Sequence, residues 1–591
     1  MAKPMTRNCP SGRGRASIDR RRRFQKAMSL DAPDKVTSSY AQGLFQQALD
    51  EFAALLPPAR QDPRMVIMAA QCHYRLGHLE TAADHYTLAA NLVATDGIRL
   101  NKVAFELYKK AGHTDKAFAS AERILQVEPR DHAAAIFRRH HLFDFLRLDE
   151  LKAANDAALA AIQAGDEFAM SCELPFNILH WCSDESIQAR ILGEGRPDIS
   201  PQIRAMRRQK PHVFGYKIRI GYLSNDFFSS HATMILLQGV LERHDRSRFE
   251  IILYCYSNKA LVESDNGSRA RMGMIKQIGD LSDAAASTMI QNDDLDILVD
   301  LKGHTKDARI GLVNSGLAPI QVAWLGFPGS GIGIDCDYII GDPIVTPQSS
   351  KPFYQEKLCR LPETYQPNDN INRPLPPAVP RAALGLPQDR FVLASFNSIK
   401  KLSPQTVEAW LKIMADLPDS ILWILCRSDI AKDNLRTLFA RHGLSAERLI
   451  FTPPLAYPYH LARLSAADLV LDSFPYCGHT TTSDCLWAGV PVLALKGQNF
   501  ASRVSESLLT ALGVPELVAA SVDDYIAQAQ DLAHNRNRLQ DLRDRIAANR
   551  HTTPLFDTDR FTRHLEDAYR MMVERAKAGL EPDHIDVPAR S

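Results

Sequence analysis

A short polar stretch near residue 480 combines residue types that bind phosphate. CGHTTTSD (477–484) places a histidine and three threonines between an apolar run, ADLVLDSF (467–474), and a short helical pattern. A helix start offers backbone N–H groups without intrahelical acceptors and a partial positive charge, and both favour an anion. His479, Thr480 and Thr481 therefore predict a phosphate site at a strand-to-helix turn.

Other strand ends carry groups that suit the same chemistry. FNSIKKLSP puts Lys401 directly after an apolar run in the same half of the chain. DFFSSHATM and KGHTKDAR put His231 and His304 after strands in the other half. Backbone N–H groups, hydroxyls and a lysine can hold a diphosphate, with a histidine facing it across a cleft. These groups together predict a transfer reaction in which a nucleoside diphosphate is the leaving group.

The elements that must position these residues fall into two blocks. From about residue 213, short apolar runs alternate with helical patterns, which predicts parallel sheets covered by helices on both faces. The alternation stops at a proline-rich segment, QPNDNINRPLPPAVPR (366–381), and restarts at RFVLASFNS (390–398). The prediction is two Rossmann-like α/β lobes with a cleft. Ligand sites in such sheets lie at the carboxyl ends of strands, where the polar turns fall.

A repeat precedes the two lobes. GLFQQA, GHLETA and GHTDKA begin at Gly43, Gly77 and Gly112, so a Gly-x4-Ala pattern recurs at offsets of 34 and 35 residues. This period is typical of tetratricopeptide helix hairpins, and a fourth, degenerate copy is predicted in LRLDELKAANDAAL (146–159). Stacked hairpins form a concave surface, so the repeats are expected to hold a protein partner.

Composition excludes several classes of protein. The net charge is +1, so bulk charge gives no reason to expect nucleic acid, and the basic stretch at 7–26 is expected to be a solvated tail. No apolar run approaches the roughly 18 residues of a membrane span, and the amino-terminal segment has no apolar core of a secretory signal. We therefore expect a cytoplasmic protein.

The sequence also predicts that no metal or cofactor is used. The ten cysteines include no CxxC pair, which argues against a zinc site and against a disulfide framework. Metal-dependent sugar-nucleotide enzymes carry an Asp-x-Asp at a strand end, but Asp335-Cys336-Asp337 precedes a strand. We predict that this triplet is a structural turn. The absence of Walker A and GxGxxG patterns after the strands argues against an NTPase or a dinucleotide oxidoreductase.

In their order along the chain, these motifs resemble the O-linked N-acetylglucosamine transferase/SPINDLY family. The matching stretches are IRIGYLSNDF, DILVDLKGHTKDAR, APIQVAWLGFPGS, FNSIKKLSP and DSFPYCGHTTTSDCLWAGVPVLAL, and tetratricopeptide repeats before them are that family's architecture. The resemblance implies a GT-B fold. It also implies an inverting, metal-independent transfer of a sugar, N-acetylglucosamine from UDP-GlcNAc, to Ser or Thr of an acceptor protein held by the repeats.

The resemblance assigns lobes and residues to these tasks. The expected parts are a disordered basic tail (1–35), tetratricopeptide repeats (36–165), a linker (166–212), an acceptor-side N-terminal lobe (213–370), a donor-side C-terminal lobe (371–580) and a tail (581–591). The candidate catalytic residues are His231 and Lys401, with His304 added for its place after a strand, and the candidate donor-binding residues are Ser398, His460, Arg463, His479, Thr480, Thr481, Asp484, Leu325, Gly326 and Pro328.

Within that set the resemblance distinguishes several roles. It implies that Lys401 pairs with the donor diphosphate and that Asp484 takes the ribose hydroxyls. It implies that His460 and Arg463 line the uridine pocket, that the loop at 325–328 closes over the sugar, and that His231 lies near a histidine discussed as the general base.

Some positions depart from the family pattern. Ser398 replaces the glutamine of the animal enzymes, Tyr457 replaces a lysine that contacts ribose, and DFFSSHAT holds an extra residue before its histidine, followed by Ala232 where proline is frequent. SPINDLY fucosyltransferases lack the histidine of GHTTT, so His479 favours a UDP-sugar over GDP-fucose. The departures leave two alternatives open: a flagellin- or adhesin-type glycosyltransferase that uses another nucleotide sugar, and an inactive repeat scaffold.

Overall fold

The computed structural model describes residues 32–93, 97–194, 199, 201–263 and 267–590. Residues 1–31 of the predicted basic tail lie outside these ranges. The chain divides into two compact units, Met1–His141 and Leu142–Ser591. Among the described helices, none has the length and apolarity that crossing a membrane requires.

The first unit consists of helix hairpins. Its helices are residues 32–41, Phe45–Ala53, Pro57–Arg60, Pro63–Arg75, Leu79–Leu92, Gly97–Ala111 and Thr114–Val127, with His132–Asp144 continuing past the boundary. Gly43, Gly77 and Gly112 follow helix ends with φ of 76°, 82° and 78°, a conformation that side chains disfavour. The alanines five residues later, Ala48, Ala82 and Ala117, are fully buried and let helices approach closely. The glycine and the alanine that recur in each repeat thus have different physical causes: the glycine allows a left-handed turn, and the alanine allows a close helix contact.

The second unit begins with helices that precede the first sheet. They are Leu148–Ala164, Glu167–Cys172, Pro175–Ile178, Glu185–Gly193 and Pro201–Arg208. The degenerate repeat copy (146–159) begins just before the first of these helices and continues into it. Leu146, with φ 53°, stands where the other copies carry glycine. The segment predicted as a linker is therefore largely helical.

The first sheet is wholly parallel. Its strands are β1 Ile218–Ser224, β2 Phe249–Cys255, β3 Met274–Gln277, β4 Ile297–Asp300, β5 Ile320–Ala323, β6 Tyr338–Gly341, β7 Lys357–Arg360 and β14 Ile585–Asp586. They lie in the order β14-β7-β6-β5-β4-β1-β2-β3, with Ile220 of β1 opposite Ile297 of β4. The α-helices between them are Ala232–Arg243, Lys259–Glu263, Asp283–Asn292 and Ile310–Val313, and Ser268–Arg271 and Gln348–Phe353 are 3₁₀ turns.

The second sheet repeats this plan. Its strands are β8 Phe391–Ser395, β9 Ser420–Leu425, β10 Leu449–Thr452, β11 Leu469–Leu471, β12 Val492–Leu495 and β13 Val518–Ala519, in the order β10-β9-β8-β11-β12-β13. Its α-helices are Pro404–Asp416, Asp429–Arg441, Tyr457–Leu464, Thr480–Trp487, Phe500–Ala511, Val522–His534 and Arg536–Asn549, and its 3₁₀ turns are Arg381–Leu384, Ile399–Lys401, Ala446–Arg448, Pro515–Leu517 and Pro554–Phe556. This is the strand order of dinucleotide-binding Rossmann sheets.

The last helix, Thr558–Lys577, returns to the first lobe. The hydroxyls of Tyr569 and Tyr222 lie 3.1 Å apart, and Phe561 stacks on Trp324 at 6.1 Å between ring centroids. The chain then adds β14 beside β7. The carboxyl-terminal helix and strand therefore complete the core of the N-terminal lobe.

Both sheets have a point where successive connections leave in opposite directions. In the C-terminal lobe it lies between β8 and β11, and in the N-terminal lobe between β1 and β4. A crevice opens at the carboxyl ends of the strands at such a point. The polar turns predicted to carry the chemistry follow these four strands.

Candidate active site

In the C-terminal lobe a buried asparagine links the two strand ends that border the crevice. Asn397, just after β8, donates from Nδ2 to Asp472 Oδ1 at 2.8 Å and to Ser473 Oγ at 2.9 Å, just after β11. Asp472 Oδ1 also accepts the N–H groups of Ser473 at 2.9 Å and Gly478 at 2.7 Å. This carboxylate therefore fixes the loop that leads into the helix at 480.

That helix begins with a turn of exposed donor groups. The first intrahelical bond runs from the Ser483 N–H to the His479 carbonyl at 3.0 Å, so the N–H groups of residues 480–482 have no intrahelical acceptor. The side chains of Thr480 and Thr481 are half-buried in this first turn. A Cβ on Gly478 would lie 2.3 Å from Thr482 Oγ1, so only glycine fits there. The turn is therefore open to a ligand.

Lys401 points at the same turn from the opposite side of the crevice. It ends the 3₁₀ turn after β8, and its Nζ donates to the Cys477 carbonyl at 2.7 Å and lies 3.7 Å from the centre of the Tyr476 ring. Burial lowers the pKa of Lys401 to about 8, although the charge of Asp472 opposes this change. Ser398 is exposed, and its carbonyl accepts the Lys401 N–H at 2.9 Å.

His479 faces the same space. Its Nε2 donates to the Ala501 carbonyl at 3.1 Å, and its ring meets the Tyr476 ring edge-on at 5.1 Å. Burial, and then the charge of Lys401, holds the pKa of His479 well below its usual value. A neutral ring with the proton on Nε2 presents Nδ1 as an acceptor.

Asp484, one turn further along the helix, is buried with a mixed set of partners. Tyr457 donates its hydroxyl to Asp484 Oδ1 at 2.7 Å, and the nearest guanidinium nitrogen of Arg373 lies 3.7 Å from the same oxygen. Burial raises the pKa of Asp484 to about 6, against the opposing effects of Arg373 and Tyr457. Tyr457 thus contacts the carboxylate that the family resemblance assigns to ribose.

His460 and Arg463 form a rigid pair at the edge of the crevice. Arg463 donates from Nη2 to His460 Nδ1 at 2.8 Å and from Nη1 to the Pro453 carbonyl at 2.7 Å. Burial, together with Arg463, lowers the pKa of His460 to about 4, so its ring is neutral at physiological pH with the proton on Nε2. Both side chains pack on Phe396, which directly follows β8.

The N-terminal lobe holds a separate cluster. Lys302, after β4, donates to both oxygens of Asp226, after β1, at 3.1 and 2.9 Å. His231 accepts the Thr233 N–H on Nδ1 at 3.3 Å, and its Nε2 lies 3.5 Å from Asp226 Oδ1. Burial lowers the pKa of His231 and Asp226 raises it, with burial the larger effect.

The loop after β5 is tightly constrained. Leu325 has φ 72°. The Gly326 N–H donates to the Trp324 carbonyl at 2.9 Å, which closes a tight turn at Leu325. A Cβ on Gly326 would lie 2.1 Å from the Leu301 carbonyl oxygen, so no other residue fits. Pro328 is buried in the following turn. This geometry fixes where the loop predicted to cover the sugar can stand.

His304 is held beside this loop. Its Nε2 donates to the Ile332 carbonyl at 3.0 Å, and its ring meets Phe327 edge-on at 5.2 Å. Lys401 and His479 therefore both contact the Tyr476 ring, and Thr480 and Thr481 follow in the same turn. His231 lies in the cluster with Asp226, and His304 lies beside Phe327.

Sequence reasoning missed a connection between these groups. Phe176, in the helix Pro175–Ile178, lies 5.8 Å from the Tyr476 ring and 6.5 Å from the Phe327 ring. His180 lies 5.2 Å from Tyr476, and burial and the charge of Lys401 lower its pKa to about 3. The apolar cluster in LPFNILHW (174–181) was the available signal for a buried segment.

The Asp-x-Asp triplet is structural. Arg207 donates from Nε to Asp335 Oδ2 and from Nη2 to Asp337 Oδ1, each at 2.8 Å, and all three side chains are buried. Within the described residues, no group of three or more His, Cys, Asp or Glu side chains could hold a metal ion.

The chain matches a known family over most of its second unit. The family model described as Glycosyl transferase family 41 matches residues 204–374 and 375–565. Over 381 residues the chain is 35% identical to the probable UDP-N-acetylglucosamine--peptide N-acetylglucosaminyltransferase SEC of Arabidopsis thaliana. This match covers 63% of this chain and 39% of that protein. Over 487 residues it is 28% identical to the UDP-N-acetylglucosamine--peptide N-acetylglucosaminyltransferase of Caenorhabditis elegans, covering 63% and 42%. The chain thus spans about two fifths of these relatives' length.

A solved structure shares the fold. A mutant of the Thermobaculum terrenum O-GlcNAc transferase superposes with a TM-score of 0.62 at 24% identity, covering 94% of this chain and 99% of that one. This similarity confirms the predicted architecture of helical repeats followed by a GT-B pair of lobes. The resemblance to the O-linked N-acetylglucosamine transferase/SPINDLY family is also confirmed, since the family match covers more than half of the chain. The chain therefore belongs to glycosyl transferase family 41.

Proposed function

We propose that this protein transfers N-acetylglucosamine from UDP-GlcNAc to a serine or threonine hydroxyl of an acceptor protein. The observation that carries the proposal is the convergence of the Lys401 ammonium and the open N–H groups of residues 480–482 on one crevice. The peptide N-acetylglucosaminyltransferase names of the relatives give it further support.

The donor diphosphate lies against the helix start at 480. Lys401 and the backbone N–H groups supply positive charge where the leaving UDP gains negative charge, which is the largest contribution that such a site can make. Because these protein groups stabilise the leaving group, the reaction needs no metal ion. Asp484 holds the ribose hydroxyls, and His460 with Arg463 lines the side of the base.

The reaction inverts the sugar at its anomeric carbon. The acceptor hydroxyl oxygen forms a bond to that carbon from the face opposite the diphosphate. The bond from the carbon to the diphosphate oxygen breaks, and UDP leaves with the electron pair. The loop at 325–328 and the imidazole of His479 border the sugar and exclude water from it.

The proton of the acceptor hydroxyl has three possible destinations: His231, a donor phosphate oxygen, or a water. His231 has both ring nitrogens engaged, one by the Thr233 N–H and one toward Asp226. It therefore must break one of these contacts before it can accept a proton, which favours the other two routes. His304 donates to a carbonyl from Nε2 and serves to place the loop beside it.

The repeats hold the acceptor protein and raise its local concentration near the cleft. Helix hairpins in the described part of 36–165, with fully buried alanines between them, support this role. A cytoplasmic location remains a prediction from the sequence.

A second candidate is a transfer from a different nucleotide sugar, such as UDP-glucose, to a flagellin- or adhesin-type acceptor. Tyr457 stands where the animal enzymes carry a ribose-contacting lysine and donates its hydroxyl to Asp484 Oδ1 at 2.7 Å, so the nucleoside end of the donor site departs from the family pattern, which favours a different donor. A ligand must share or displace this contact.

The test is a transfer assay with radiolabelled donors. Purified protein is incubated with a proteome depleted of endogenous glycosylation and with UDP-GlcNAc, UDP-glucose or GDP-fucose, in parallel samples with and without EDTA. Lys401→Ala is compared with Lys400→Ala, a matched control because Lys400 is half-exposed and pairs with Asp144 at 2.6 Å instead of facing the crevice.

We expect label from UDP-GlcNAc to enter protein in EDTA, with Lys400→Ala active and Lys401→Ala inactive. Label from UDP-glucose alone would establish the second candidate. Transfer that EDTA abolishes would contradict metal independence. If no donor supports transfer, the remaining hypothesis is that the protein is an inactive repeat scaffold.

A further inference from the structure

The stretch from 174 to 193, part of the predicted linker, contacts both catalytic lobes, and we call it the bridging segment. Its buried side chains Leu179 and Leu192 join one apolar cluster with Phe327 of the N-terminal lobe and Tyr476 of the C-terminal lobe. Such a cluster excludes water from the contact between the three parts. A single short stretch of chain therefore packs on both lobes beside the crevice.

Phe176 lies in the bridging segment between two rings from opposite lobes. Its ring meets the Tyr476 ring edge-on at 5.8 Å and lies 6.5 Å from the Phe327 ring. Both separations fall in the range of about 4.5–7 Å that favours aromatic pairs. Phe327 belongs to the loop predicted to cover the sugar, and Tyr476 is the ring that the Lys401 ammonium faces at 3.7 Å. Phe176 therefore connects the sugar loop to the support of the lysine.

His180 gives the Tyr476 ring a second support. The His180 ring lies 5.2 Å from the Tyr476 ring and 5.6 Å from the Phe176 ring. It also lies 5.8 Å from the ring of Phe143. No aromatic contact of His180 reaches Phe327 among the described residues. The C-terminal lobe thus has two aromatic contacts with the bridging segment at Tyr476, whereas Phe176 alone joins that segment to the ring of the sugar loop.

The bridging segment is also anchored by polar contacts that do not involve these rings. Glu185 Oε1 accepts the hydroxyl of Ser350 in the N-terminal lobe at 2.9 Å and Nη1 of Arg503 in the C-terminal lobe at 3.1 Å. Arg503 Nη1 also donates to Ser350 Oγ at 3.1 Å. The side chains of Glu185 and Arg503 are only 8% and 13% exposed, so water weakens this ion pair little. The position of Phe176 is therefore fixed from both lobes.

We propose that Phe176 is a positioning residue, which holds the sugar-covering loop at a fixed separation from the Tyr476–Lys401 pair. On one side its ring supports Phe327, which stands between Gly326 and Pro328 in that loop. On the other side it supports Tyr476. The inference rests on the proposed function, because it assigns the loop to the sugar and the lysine to the diphosphate.

The consequence of losing the ring differs for the two halves of the donor. Phe176→Leu leaves a gap beside Phe327, so the loop loses its support and can shift away from the sugar. Tyr476 keeps its contact with His180, and the open N–H groups at 480–482 are unchanged. The variant should therefore hold the UDP part of the donor while it places the sugar poorly, and misplacement of the reacting carbon lowers kcat.

The test compares calorimetric titrations of UDP and of UDP-GlcNAc, which need no acceptor, with kcat for transfer at saturating donor. The variants are Phe176→Leu and Phe176→Tyr, which keeps the ring. Phe52→Ala is the matched control, because Phe52 is also half-buried but packs on the first repeat cluster. Melting temperatures confirm that each variant is folded at the assay temperature.

We expect Phe176→Leu to bind UDP within about threefold of wild type and UDP-GlcNAc about tenfold more weakly. Its kcat should fall about tenfold to a hundredfold, whereas Phe176→Tyr and Phe52→Ala should resemble wild type. Wild-type values of UDP-GlcNAc affinity and kcat in Phe176→Leu, or an equal loss of affinity for both ligands, would overturn the proposal. If wild type transfers no sugar but Phe176→Leu loses affinity for UDP-GlcNAc alone, the proposed function fails and the positioning role stands.

Discussion

We predict that the ring of Tyr476 helps to keep Lys401 protonated. The Lys401 ammonium lies 3.7 Å from the centre of that ring, and Phe176 and His180 hold the ring in place. A cation over an aromatic face is stabilised by the electron density of the ring. Replacing Tyr476 by leucine removes this face while keeping an apolar side chain, whereas replacing it by phenylalanine keeps the face.

The size of the effect follows from the burial of the pair. A desolvated cation–π contact contributes about 2 kcal/mol, and a pKa unit corresponds to about 1.4 kcal/mol. The pKa of Lys401, about 8 in the wild type, should therefore fall by about one and a half units in Tyr476→Leu. At pH 7.5 the protonated fraction of Lys401 then drops about eightfold, because the pKa moves from above the working pH to below it.

The assay is the pH dependence of kcat/KM for transfer between pH 5.5 and 9.5. Because only protonated Lys401 stabilises the diphosphate, kcat/KM should fall as pH rises through about 8 in wild type and Tyr476→Phe. In Tyr476→Leu this fall in kcat/KM should begin at a pH about one and a half units lower. Melting temperatures control for the loss of packing around this buried ring. An alkaline limb at the same pH in Tyr476→Leu and wild type would refute the role of the ring.

Two further predictions concern acidic side chains. Tyr457→Phe removes the hydroxyl that lowers the pKa of Asp484, so this pKa should rise above its wild-type value of about 6. On acidification the variant should therefore lose UDP affinity at a higher pH than the wild type, which calorimetry between pH 5 and 7.5 can measure. The same pH dependence in both proteins would exclude Asp484 from donor binding. Asp335→Asn should lower the free energy of unfolding by about 3–5 kcal/mol because it leaves buried Arg207 with an incomplete set of partners, without changing kcat of the folded protein. Asp433→Asn, in an exposed pair, should cost less than about 1 kcal/mol in the same denaturation experiment, and equal losses for the two variants would contradict the structural role of the triplet.

Local patterns were sufficient to predict the architecture. The Gly-x4-Ala period predicted helix hairpins because a left-handed turn and a close helix contact each restrict the residue type. The alternation of apolar runs and helical patterns predicted two parallel sheets. Because sites in such sheets lie at carboxyl strand ends, the placement of Lys401 and His479 in one crevice also followed from the sequence.

Contacts between distant segments were beyond those patterns. Phe176 and His180 lie in a segment predicted as a linker, and only the folded chain brings them against Tyr476, about 300 residues later in the sequence. The environment of Arg373 was equally hidden, because its proline-rich surroundings indicate a connector and carry no periodicity. The roles assigned to the individual site residues remain predictions that rest on the family resemblance.

The most direct test of the account is a calorimetric titration of UDP, GDP and CMP into wild type, Lys401→Ala and Lys400→Ala with EDTA present. We predict that UDP binds wild type and Lys400→Ala equally, that Lys401→Ala binds it about tenfold to a hundredfold more weakly, and that GDP and CMP bind poorly. Equal UDP affinity of Lys401→Ala and wild type, or preferential binding of GDP or CMP, would contradict the claim that this crevice holds the diphosphate of a UDP-sugar.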